Sequence, residues 1–126
     1  MHPEHSVAER EQEFVNLYNR FSGSVVDWQG NEKVKENLWQ KQIHIFDSPF
    51  YYIEYGMAQL GAIALWKNYK TDATTTISNY KKALSLGYTK SIGEIYAAAG
   101  VRFDFSATYI KELSQFVQSE IDALQK

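Results

Sequence analysis

Residues 44–66 read HIFDSPFYYIEYGMAQLGAIALW. From Ile53 onward, Ile53, Met57, Leu60 and Ala64 recur at the spacing of a single helical ridge. Pro49 disfavours the α conformation at Ser48 and suits the first position of a helix, so the pattern predicts a helix from Pro49 to about Asn68 with Ser48 as its N-cap. Gly56 and Gly61 each cost this helix roughly 1 kcal/mol relative to alanine, which implies a packing or ligand reason for them. Tyr52, Tyr55 and Gln59 fall at i, i+3 and i+7, on a polar-aromatic face distinct from the apolar ridge. His44 stands on the last turn of the helix before, close to the start of this one.

The flanks supply more helices. Upstream, Ser6-x-x-Glu9 is a capping box, and Phe14, Leu17, Tyr18 and Phe21 make one apolar stripe that Gly23 ends. A second helix is expected from Asn31 toward Phe46, with Val34, Leu38 and Ile45 on one side and Trp39, Ile43 and Phe46 on the next. Downstream, a helix capped at Thr71 or Asp72 carries Ile77, Tyr80 and Leu84 and stops at Gly87. Ser91-x-x-Glu94 opens a short one that Gly100 closes, and a Ser106 cap with a Phe105–Ile110 staple opens the last, through Leu113, Phe116, Val117, Ile121 and Leu124. No run alternates with strand period. The expectation is an all-α chain, a single compact domain of about six helices over residues 1–126.

Composition removes several function classes. With 126 residues, 44% of them hydrophobic and 15% aromatic, the chain has apolar surface enough for a core. A formal charge of -2, from 13 basic and 15 acidic residues well mixed, leaves no footprint for nucleic acid or an anionic membrane. The absence of cysteine excludes a disulfide framework and a thiolate nucleophile or metal ligand. The N-terminus has no apolar signal core, and the longest apolar window is short and interrupted by Gln59, so a cytoplasmic protein is expected.

Candidate chemistry concentrates around His44. His2-Pro-Glu-His5 offers two imidazoles and a carboxylate, but Pro3 prevents an interior helix turn and no third oriented ligand is in view, so no metal site is assigned. The His-Glu-x-x-His pattern, phosphate-binding glycine loops and the Gly-x-Ser-x-Gly elbow are absent. His44 reads either as a hydrogen-bonded packing residue or as part of a cluster with Tyr51, Tyr52 and Tyr55. Those phenols are either amphipathic packing aromatics or donors that hold a peptide carbonyl and stabilise developing charge on its oxygen. Tyr51 and Tyr52, as adjacent helical positions about 100° apart, are not expected to face one ligand together.

His44-Ile-Phe-Asp-Ser-Pro-Phe-Tyr-Tyr-Ile-Glu-Tyr55 with Ala58-Gln-Leu-Gly61, Tyr80-Lys-Lys-Ala-Leu84, Ala98-Ala-Gly-Val101 and Phe103-Asp104-Phe105 closely resembles the C-terminal helical part of the oligoendopeptidase F-type (thimet oligopeptidase-like) zinc metallopeptidases. The resemblance spans roughly residues 3–124 and is most specific over 44–61. It implies a helical bowl around a peptide cleft, with His44 contacting the peptide and Tyr55 and Tyr52 binding the scissile carbonyl as catalytic contacts. Tyr51 is a further substrate-binding candidate. The complete family enzyme hydrolyses short peptides with zinc held by a His-Glu-x-x-His helix and a further glutamate, none of which occurs here. The resemblance therefore implies a truncated segment, or a naturally short relative, that is inactive alone. Its partners would be short peptides, a separate zinc-bearing half or a second copy of the chain. The competing class is a stand-alone, non-enzymatic helical module that grips a peptide or protein partner along His44 to Gln59 or at Tyr80 to Gly87.

Overall fold

The computed structural model describes residues 4–125, so His2 and Pro3 of the His2-Pro-Glu-His5 run fall outside the described residues. Among them are seven α-helices and one 3₁₀ turn, with no strand: the fold is all-α. The chain divides into two compact units, Met1–Tyr52 and Ile53–Lys126.

In the first unit, α1 (Val7–Phe21) starts as its capping box requires. The Ser6 hydroxyl accepts from the Glu9 amide, while the Glu9 carboxylate accepts from the Ser6 amide at 2.7 Å. The segment expected to be one helix from Asn31 to Phe46 is instead three pieces: α2 (Glu32–Glu36), a 3₁₀ turn (Leu38–Lys41) and α3 (Ile43–Asp47). The break falls at Asn37, whose side-chain amide donates to the Lys33 carbonyl at 2.8 Å and whose oxygen accepts from Gln40 at 2.7 Å. Such local side-chain bonds give the backbone an alternative to the helical ladder. Gln42, with ψ of 88°, makes the second break.

Packing in this unit is aromatic and shallow. Trp28 meets Tyr18 edge-on at 5.7 Å, Lys35 lies over both rings, and Lys33 joins Glu11 and Glu36 at 2.9 Å each. No described residue of this unit is fully buried.

The second unit has a true core. It comprises α4 (Ile53–Thr71), α5 (Ala73–Ser85), α6 (Ile92–Ala98) and α7 (Ala107–Leu124), with α4 packed on α5 and α7 and α5 on α6. Ala64, Ala83, Ala99, Val101, Tyr109 and Leu113 are buried together, Leu113 at 1% exposure. The expected caps are present: Asp72 accepts from the Thr75 amide at 3.0 Å, Ser91 pairs with Glu94, and Ser106 accepts from the Tyr109 amide at 3.3 Å. Gly87 and Gly100 follow α5 and α6 with φ of +52° and +78°, the left-handed geometry that ends helices. At the surface, Glu112 of α7 joins Lys67 of α4 at 2.6 Å and Arg102 at 2.7 Å, tying three segments together.

The start of α4 differs from the expectation. Ser48 ends α3 rather than capping α4, and the next helix begins only at Ile53. The reason lies at Phe50, whose φ of +67° is left-handed and cannot belong to an α-helix. The apolar ridge also shifts: Ile53 is 64% exposed, while Gly61 and Ala64 are buried beside half-buried Met57 and Leu60.

Candidate functional site

His44 is half-buried in α3, and its carbonyl accepts from the Ser48 amide at 3.3 Å as the helix closes. The chain then folds back, with the Tyr51 amide donating to the Ser48 carbonyl at 3.1 Å around left-handed Phe50. This turn carries both following tyrosines to the imidazole. The Tyr51 ring lies parallel to it, 3° from coplanar orientation with centroids 6.2 Å apart, and the Tyr52 ring is tilted at 5.1 Å. The objection that adjacent helical residues diverge by 100° therefore does not apply, because neither tyrosine is helical. Both rings keep about half of their surface in solvent, at 45% and 57% exposure.

Tyr55 belongs to the second unit, on the first turn of α4, where it is exposed along with Gln59. Tyr52 precedes α4, so the i, i+3, i+7 face expected for Tyr52, Tyr55 and Gln59 is not a helical face; only the last two share the helix.

The two helix glycines separate. A side chain at Gly56 would meet nothing within 4 Å, whereas at Gly61 it would collide with Tyr96 of α6. The sequence signal for the Tyr96 contact is the mid-helix glycine at 61, which the structure buries against it.

The donor set defines what these groups can do. An imidazole both donates and accepts hydrogen bonds, and a phenol donates to a carbonyl oxygen more strongly as that oxygen gains charge. A hydrolytic metal needs three oriented protein ligands, and the described residues contain no group of three histidine, cysteine, aspartate or glutamate side chains that could hold one. Zinc therefore does not fit the residues described. No helix among them is long and apolar enough to cross a membrane. A family model described as Peptidase family M3 matches residues 1–115. No curated protein and no solved structure matches the chain.

Proposed function

The chain belongs to peptidase family M3, and from that membership we propose that it is the C-terminal, substrate-contacting segment of an oligoendopeptidase F-type metallopeptidase acting on short peptides in the cytoplasm. The single observation that supports this most is the gathering of Tyr51 and Tyr52 rings at 5–6 Å from His44, inside the span of the family match. His44 binds the peptide backbone. Tyr51 and Tyr52 beside His44 offer hydroxyls to carbonyl oxygens, and the oxyanion-contact role of Tyr55 and Tyr52 is carried over from the family resemblance. Bond cleavage also needs an activated water and a general base, and no step through a metal is assigned to these residues. The segment binds peptides without turning them over.

The test is a fluorescence-anisotropy titration of the chain with a labelled heptapeptide of mixed sequence. His44→Ala should weaken binding about tenfold, the worth of one good hydrogen bond near 1.4 kcal/mol. Unaltered affinity would count against the assignment. A second reading, a non-enzymatic interaction module, is favoured by an apolar groove of ≈ 240 Å³ lined by Tyr80, Leu84, Ala58, Ala62 and Leu65. Binding that survives loss of His44 and Tyr55 but not Leu84→Asp would select it.

A further inference from the structure

Taking an ammonium partly out of water costs free energy that a carboxylate partner ordinarily offsets. Lys33 of α2 has two such partners, Glu11 and Glu36, at 2.9 Å each. Lys35, two residues on and half-buried, has no carboxylate among the described residues within ion-pair distance. Its ammonium donates to the Asn19 side-chain oxygen and lies 5.3 and 5.9 Å from the centres of the Tyr18 and Trp28 rings. These contacts orient the charge without neutralising it.

Lys35 lines an open cleft of ≈ 480 Å³ formed by α1, the loop after it and α2. Small-molecule sites ordinarily occupy roughly 300–1,000 Å³. Ser22 and Ser24 bring hydroxyls to the same lining, and Asn19, whose oxygen Lys35 occupies, keeps its amide hydrogens to donate; all of these suit a carboxylate. The other charge of the lining is Asp27, which accepts from the Gln29 amide at 2.9 Å and has no cationic partner among the described residues. Val25 and Val26 complete the cleft at 90% and 58% exposure. A positive charge, a negative charge and an aliphatic wall thus line one cleft, and neither charge is ion-paired among the described residues.

We propose that this cleft binds a small zwitterion with an aliphatic side chain, a free amino acid or a dipeptide. Its carboxylate meets Lys35 and the two serines, its ammonium meets Asp27, and its side chain lies on Val25 and Val26. None of these residues belongs to the His44 group, so the site stands apart from the peptide-contacting reading above.

The experiment titrates the full chain, labelled with nitrogen-15, with L-leucine and with leucyl-leucine. Saturable shifts are expected at the amides of residues 22–28 and at the Trp28 indole, and the tighter of the two ligands names the source. Leucinamide, which lacks the carboxylate, and N-acetyl-leucine, which lacks the ammonium, should each bind about tenfold more weakly than leucine. Asp27→Asn should weaken leucine about tenfold and leave N-acetyl-leucine unchanged, since a lost contact costs nothing where its partner is already missing. Lys35→Met, which keeps the stem over the two rings, should weaken leucine and leave leucinamide unchanged. Asp27 is exposed, so its variant decides the matter even where Lys35→Met fails to fold. No saturable shift with either zwitterion, or equal binding of leucine, leucinamide and N-acetyl-leucine, would overturn the proposal.

Discussion

Phe50 shows how much one residue decides. A left-handed conformation costs an L-residue roughly 1–2 kcal/mol, and Phe50 adopts it with φ of +67° while its side chain is 87% exposed. The same turn brings the Tyr51 and Tyr52 rings to 6.2 and 5.1 Å from the His44 imidazole. Strain of this kind is commonly stored where function needs a defined geometry. Phe50→Gly should remove the strain, and after the added flexibility of the unfolded chain is counted it should stabilise the protein by up to about 1 kcal/mol. A urea-denaturation series checks this; a clear loss of stability would mean that the Phe50 ring, not its backbone, supports the turn. The sequence made the candidates His44, Tyr51, Tyr52 and Tyr55 visible by residue type. It did not reveal the grouping, because the helical rule applied to Pro49–Tyr52 depends on a conformation that Phe50 does not adopt.

At the scale of elements, helix starts were readable where the capping partners lie three residues apart. Ser6 with Glu9, Asp72 with Thr75, Ser91 with Glu94 and Ser106 with Tyr109 all form as their spacing requires. The long helix expected over 31–46 was not, since Asn37 satisfies a helix acceptor and bonds Gln40 with its own side chain. The Tyr96 seat on Gly61 joins residues far apart in sequence, beyond the reach of periodicity. These caps and pairs also set the acid response. Hydrogen bonds from the Ser6 backbone and side chain hold Glu9 below the ordinary carboxylate range, and the corresponding Ser91 groups do the same for Glu94. Thr75 lowers Asp72, and the hydrogen bond from Lys67, aided by Arg102, lowers Glu112. A carboxylate whose pKa is depressed by folding contributes stability that is present above its unfolded value and lost as pH falls through its folded one. The urea midpoint should therefore decline as pH drops through and below the ordinary carboxylate range. Glu112→Gln should lower the midpoint at neutral pH and make the acid decline shallower. These groups are solvent-exposed, so each effect should be small; an unchanged acid profile in the variant would show that Glu112 carries no share of it.

At the scale of the whole chain, the two units differ in how they are stabilised. The second buries Leu113, Tyr109, Val101 and three alanines around α4, α5 and α7, whereas the first has no fully buried described residue and relies on half-buried aromatic contacts and ion pairs. Local opening follows burial, so native-state hydrogen exchange should find the slowest amides in α4, α5 and α7 and much faster exchange across α1 to α3. Uniform protection over the chain would contradict this picture. The all-α class was legible throughout, because helical periodicity survives even where helix ends do not. The division of burial was not, since apolar stripes of similar strength occur in both halves of the sequence and only packing distinguishes them. The central proposal is that this member of peptidase family M3 contacts peptide through His44 and its tyrosines and does not itself supply the nucleophile. Its most direct test is cleavage of a quenched fluorescent heptapeptide by the purified chain, with and without added zinc and beside the His44→Ala variant. The account predicts peptide binding without turnover under either condition; zinc-dependent cleavage that disappears in the His44→Ala variant would contradict it.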